Sequence, residues 1–186
     1  MASETKTVKK VVQRTTDDLE LVLSDATGMA ETAIEDALGS CAQKVGVDRE
    51  TAVSRLREGD LSACSYFHYT LAGHAAEWLG AWDENVKAVY IYDYDATAED
   101  VCFGKPGQQR MLHLLVWAHR KTQALAAISN ALDRALVDGY VESVGARGVK
   151  HVLDVQAVDD DEVQNNIGCG ALLHSLHTRP IRIWER

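Results

Sequence analysis

Apolar residues spaced three and four apart dominate the first 82 residues of this 186-residue chain and predict helices there. The clearest stripe runs from Leu61 to Trp82 and predicts one long helix. Its apolar face consists of Leu61, Cys64, His68, Leu71, Ala75, Trp78 and Trp82. We interpret His68 as a hydrogen-bonded histidine of the core. Tyr66, Phe67 and Tyr69 lie off the stripe, so they either form a protein interface or pack on the other N-terminal helices.

The pattern changes at Asn85. After it, segments rich in β-branched and aromatic residues alternate with segments that have helical spacing. Residues 111–118 form a nearly continuous apolar run, which predicts a strand buried on both faces. The other predicted strands are 86–92, 149–158 and 181–184, and the predicted helices begin at Thr122 and span 163–177. We therefore predict an α+β fold, with a helical region in residues 1–84 packed with a mixed-sheet domain in residues 85–186.

Composition and charge exclude several classes of protein. The chain is 46% hydrophobic and 25% charged, as globular domains are, and no segment has the ~20 consecutive apolar residues that a membrane span needs. Its net charge is −9 and it has no dense basic stripe, which argues against strong nucleic-acid binding. The four scattered cysteines and the absence of an apolar leader predict a cytoplasmic protein with reduced thiols.

Three aspartates are the candidate metal ligands. Asp93 and Asp95 end the first predicted strand and project to one side, and Asp154 lies within the third. Carboxylates placed in this way can hold a divalent cation. The alternative is that Asp93 and Asp95 are ordinary turn residues and that Asp154 faces solvent. The basic pair Arg120 and Lys121 could meet a small anion.

Four segments of the second half together resemble the small nucleotidyltransferases of the DNA polymerase beta superfamily. They are VKAVYIYDYDA, MLHLLVWAHRKTQALAAISNALDRAL, HVLDVQAVDDDEV and ALLHSLHTRPIRIWER, and the resemblance covers residues 84–186. It rests on hydrophobic pattern and element order. It implies a Gly-Ser pair after the first strand, two acids one residue apart on the second strand and a third acid on the next. In that family these acids hold magnesium and position a nucleoside triphosphate.

The positions that match this motif carry different chemistry here. The Gly-Ser pair falls on Asp93 and Tyr94, and the paired acids fall on Met111 and His113. Only the third acid is retained, as Asp154. A thioether and an imidazole cannot replace a pair of hard oxygen ligands, and Asp93 would place negative charge where the triphosphate lies. We therefore expect a non-catalytic binding or interaction module without a cofactor, acting with a protein partner or as a homo-oligomer.

Two other hypotheses stay open. The first is a metal-dependent nucleotidyltransferase with a rearranged site, which would use Mg²⁺ and a nucleoside triphosphate. Its metal would be held by Asp93, Asp95 and Asp154, with His113 in the same pocket and Arg120 or Lys121 near the phosphates. The second is that the resemblance is accidental, which leaves an α+β fold of unknown function.

Overall fold

The computed structural model describes residues 2–92, 111–146, 148–175 and 180–186, with side chains from residue 20 onward. Its helices are α1 (Ala2–Val45), α2 (Arg49–Glu58), α3 (Leu61–Trp82), α4 (Gln123–Val144) and α5 (Asp160–Asn165), followed by a 3₁₀ helix (Gly168–His174). Its strands are β1 (Val86–Ile91), β2 (Leu112–Ala118), β3 (Leu153–Val158) and β4 (Ile181–Glu185). The predicted α+β class is confirmed.

The four strands form one mixed sheet in the order β3-β2-β1-β4. β1 pairs antiparallel with both β2 and β4, whereas β2 and β3 are parallel neighbours. The parallel pair is connected through α4, because two parallel strands need a crossover. Since side chains alternate along each strand, the sheet has an inner face against the helices and an outer face.

The main core lies between the inner face of the sheet and helices α1, α3 and α4. Leu114 and Val116 of β2 are completely buried there, as are Leu38 of α1 and Leu132 of α4. Gly80 of α3 packs directly against the ring of Trp184 in the edge strand β4. A Cβ at position 80 would lie 2.2 Å from that ring, so only glycine fits there. The N-terminal helices therefore share one core with the sheet.

The burial of α3 departs from the predicted stripe at two residues. Leu61, which the spacing places on the apolar face, is 57% exposed, whereas Phe67 is completely buried. Phe67 packs edge-on against Tyr140 of α4, with ring centroids 5.7 Å apart. A single apolar stripe is the pattern of a helix that contacts one neighbour. Because α3 packs against α1, α4 and the sheet, residues on a larger part of its circumference are buried. Tyr66 and Tyr69 are exposed, so only the central residue of the aromatic trio packs on the helices.

Helix α5 is shorter than predicted. Residues 163–177 do not form one helix, because Asn166 adopts a left-handed conformation (φ 56°) and ends α5. Gly168, also at positive φ, begins a separate 3₁₀ helix that ends at His174. Residues 176 and 177, the end of the predicted helix, lie outside the described residues.

Strand β3 begins later than predicted, at Leu153 and not at residue 149. The Asp133 carboxylate accepts the backbone N–H groups of Val152 and Leu153 at this point.

Three of the four cysteines lie in the described part of the chain, and all three are free thiols. Cys41 and Cys64 are buried in the main core, and burial raises the pKa of the Cys41 thiol. Cys169 is half-buried within the 3₁₀ helix. Within the described segments, no helix is both long enough and apolar enough to cross a membrane.

Candidate functional site on the outer face of the sheet

The outer face of the sheet collects polar and aromatic side chains from β1, β2 and β3. On β2, Leu112, Leu114 and Val116 point into the main core, so His113, Leu115 and Trp117 point outward. His113 and Trp117 are only half-buried. The prediction that this strand is buried on both faces is therefore right for Leu115 but wrong for its neighbours on that face.

His113 and Asp154 form a hydrogen-bonded pair at the start of the two parallel strands. They lie opposite each other in the β2–β3 register, and His113 Nδ1 is 2.9 Å from Asp154 Oδ2. The other carboxylate oxygen accepts a 2.9 Å bond from Gln156 Nε2. Because an ionised carboxylate only accepts, Nδ1 carries a proton in this contact, and Nε2 is the ring nitrogen that does not face the carboxylate.

An aromatic side chain of β1 flanks this pair. Tyr92, the residue after the end of β1, has its ring centroid 5.6 Å from that of His113, and its backbone N–H donates to the His113 carbonyl. The imidazole thus lies between a tyrosine ring and a carboxylate. Both side chains of the pair remain accessible, at 27% exposure for His113 and 32% for Asp154. Tyr92 itself is buried, so the accessible groups of this arrangement are the His113 imidazole and the Asp154 carboxylate.

A second polar cluster, which the sequence did not predict, lies at the opposite end of β2. The Asp160 carboxylate receives hydrogen bonds from Lys87 Nζ at 2.8 Å and Trp117 Nε1 at 2.8 Å, and lies 3.0 Å from His119 Nδ1. The Lys87 and His119 contacts hold the pKa of Asp160 down at about 2. Lys87 also lies over the Trp117 ring, 4.2 Å from its centroid. These bonds attach the start of α5 to β1 and β2.

A small apolar cluster separates the two polar groups. Leu115 and Val158 of the sheet are completely buried beneath Val163 of α5, with Leu172 and Leu173 of the 3₁₀ helix packed around them. The 3₁₀ helix approaches α5 closely at Gly170, where a Cβ would lie 2.5 Å from the Glu162 backbone. α5 and the 3₁₀ helix therefore cover the middle of the outer face and leave the His113–Asp154 pair beside their edge.

The structure places the predicted site residues as follows. Asp93 and Asp95 lie outside the described residues. Asp154 is beside His113, another residue of the candidate pocket. Arg120 and Lys121 lie beyond the other end of β2, and that end is itself about 17 Å along the strand from His113. Lys121 Nζ is paired with Glu162 Oε1 at 2.7 Å.

Among the motif positions that the structure describes, Met111, His113 and Asp154 do not form a set of free oxygen ligands for magnesium. Both oxygens of Asp154 already accept nitrogen donors, and His113 presents an imidazole where the resemblance implies an oxygen ligand. Met111 is exposed and offers only a thioether. Across the described ranges, no three His, Cys, Asp or Glu side chains lie close enough together to hold a metal ion. The chain matches no protein-family model, no curated protein and no solved structure.

Proposed function

We propose that this protein is a non-catalytic binding or interaction module whose sheet domain resembles the nucleotidyltransferases. In this proposal the sheet keeps the arrangement of a nucleotide-binding face but does not carry out nucleotidyl transfer. A cytoplasmic location and action through a protein partner or a second copy belong to the same proposal. The free thiols and the acidic net charge support it.

The observation that carries the proposal is the bond between His113 and Asp154. The resemblance assigns the second acid of the pair to position 113 and the third acid to position 154. The parallel register puts these two positions side by side, and the imidazole donates to the carboxylate at 2.9 Å. In this arrangement nitrogen donors from His113 and Gln156 occupy both oxygens of the remaining acid. The pair therefore links β2 to β3 and presents hydrogen-bonding groups on the outer face of the sheet.

A thermal-shift screen tests this proposal. Wild-type protein is melted with ATP, CTP, GTP or UTP, each with and without Mg²⁺ or Mn²⁺. A ligand at about 100 times its Kd adds roughly 2.7 kcal/mol of stability and would raise the Tm visibly. We expect no metal-dependent rise with any of the four nucleotides, because Met111 and His113 supply no oxygen ligand at the positions of the paired acids. A reproducible rise that needs both metal and nucleotide would contradict the proposal.

The second candidate function is a metal-dependent nucleotidyltransferase with a rearranged acidic site. The observation in its favour is the position of Tyr92, whose ring contacts His113 and which directly precedes Asp93 in the sequence. In this alternative Asp154 is a metal ligand together with Asp93 and Asp95. Asp154→Asn would then abolish metal binding with little loss of folding. Metal affinity that is unchanged in this variant would reject the alternative.

A further inference from the structure

Helix α5 and the 3₁₀ helix together form a small cap on the outer face of the sheet. Contacts within the cap hold the two helices to each other. A Cβ on Gly170 would lie 2.5 Å from the Glu162 backbone, so the two helices touch there without a side chain between them. The backbone N–H of Ile167 donates to the Glu162 carbonyl, and His174 Nε2 lies 3.2 Å from the Val163 carbonyl oxygen. The cap is therefore one structural unit.

The apolar contact between the cap and the sheet is small. Within these two helices, which the structure describes in full, the buried residues are Val163 and Gly170, and glycine has no side chain. Leu172 and Leu173 are half-buried, and Ile167 between the helices is 50% exposed. Helix α4, on the inner face, buries eight residues. Because hydrophobic stabilisation scales with the apolar area that is buried, apolar contact holds the cap much less firmly than α4.

Polar contacts of Asp160 supply a second attachment. This first residue of α5 accepts hydrogen bonds from Lys87 Nζ and Trp117 Nε1, each at 2.8 Å, and its other oxygen lies 3.0 Å from His119 Nδ1. All three partners belong to the sheet or directly follow it. The Asp160 and Lys87 side chains are 30% and 31% exposed, so water and salt ions compete for their contact. These bonds hold the cap closed without locking it.

We propose that the cap opens as a unit while the main core stays folded, and that Asp160 is the latch that holds it closed. Segments with few buried apolar contacts open at a lower free energy than the core does. A helix of six residues is unstable alone, so α5 loses its backbone hydrogen bonds when it leaves the sheet. Opening uncovers Leu115 and Val158 in the apolar middle of the outer face. The fold thus switches that face between a covered and an uncovered state, whether or not the protein binds nucleotide.

Native-state hydrogen exchange, followed residue by residue by NMR, tests the opening. The amides of Val163 and Ile167 are hydrogen-bonded within the cap, and the amide of Leu132 lies in the main core. We expect the two cap amides to exchange at least about tenfold faster than that of Leu132. Added salt should increase the ratio, because it weakens the ion pair of the latch. The Leu132 rate also shows whether each variant below is folded.

Substitutions in the latch identify the contact that holds the cap. Asp160→Asn keeps the shape of the side chain and removes its charge. It should accelerate exchange at Val163 by about tenfold to a hundredfold, the range expected for a hydrogen bond to a charged group. Lys87→Met should act in the same direction, and the double variant should exchange no faster than Asp160→Asn, because both changes remove one contact. Asp161→Asn is the matched control. It removes the same charge from the same turn, but Asp161 bonds to Asn165 within α5, so the Val163 rate should hardly change.

A thiol placed beneath the cap reports the opening independently. Val158 is completely buried there, and the buried Cys41 and Cys64 of the main core are internal references for Val158→Cys. Iodoacetamide should modify the new thiol faster than these two, and faster still in combination with Asp160→Asn, with the modified sites identified by peptide mass. Equal exchange at Val163 and Leu132 in the wild-type protein would overturn the proposal. So would an effect of Asp160→Asn no larger than that of its control, or a new thiol that reacts no faster than the core thiols.

Discussion

Replacing Phe67 by alanine is expected to lower the free energy of unfolding by about 3–5 kcal/mol. The Phe67 ring is completely buried and packs edge-on against Tyr140, so its removal leaves a cavity between α3 and α4. Both the lost apolar burial and the cavity reduce stability. Urea denaturation followed by circular dichroism measures the change as a shift of the midpoint.

Leu61→Ala is the matched control for this prediction. The hydrophobic stripe places Leu61 inside the core and Phe67 outside it, whereas the structure reverses the two positions. Because Leu61 is mostly exposed at the start of α3, its truncation should cost less than about 1 kcal/mol. If Leu61→Ala costs more than Phe67→Ala, the packing of α3 against α4 described above is wrong.

The stability of the protein should fall as the pH drops below 6.5, and His68 should account for much of the loss. Burial lowers the pKa of His68 from 6.5 to about 3. Below pH 6.5 the unfolded chain therefore binds a proton at this residue while the folded chain does not. The stabilisation is complete above pH 6.5 and is lost progressively from there towards pH 3. The slope of the free energy of unfolding against pH approaches about 1.4 kcal/mol per pH unit. The total loss between pH 6.5 and 5 is then roughly 2 kcal/mol.

Urea titrations at several pH values between 7 and 5 measure this slope. His68→Gln removes the titrating group and should flatten the dependence of the free energy of unfolding on pH. His74→Gln is the control, because His74 lies at the surface beside Asp36 and its replacement should leave the wild-type slope largely intact. A slope that is the same in wild-type protein and His68→Gln would show that His68 is not buried as a neutral imidazole.

Local sequence signals predicted most of the elements. The periodicity of three and four placed α3 and α4 correctly, and the β-branched and apolar runs placed β1 and β2 to within a residue. These signals depend only on neighbouring residues, which is why they succeed. They failed at Asn166, because a left-handed residue followed by a 3₁₀ turn has the same apolar spacing as a continuing helix.

The clusters on the outer face could be predicted only in part. Asp154 was a candidate because a carboxylate within an apolar strand needs a partner, but its bond to His113 depends on the β2–β3 register. In the sequence, Asp160 is one of several consecutive acids at the start of a predicted helix, and nothing distinguishes it from the others. Its contacts with Lys87, Trp117 and His119 join segments 41 or more residues apart in sequence, and spacing along the chain cannot show such contacts.

The histidine side-chain resonances of the protein, recorded by long-range ¹H–¹⁵N NMR during a titration with Mn²⁺ and ATP, test the central claim most directly. If His113 donates to Asp154 and no metal–nucleotide site exists on this face, the His113 signals keep the pattern of a ring protonated at Nδ1 throughout the titration. They should then broaden no more than those of the exposed His151. Selective broadening of His113 by Mn²⁺ with ATP, reversed by excess Mg²⁺ and abolished in Asp154→Asn, would contradict the account and establish a metal–nucleotide site on this face.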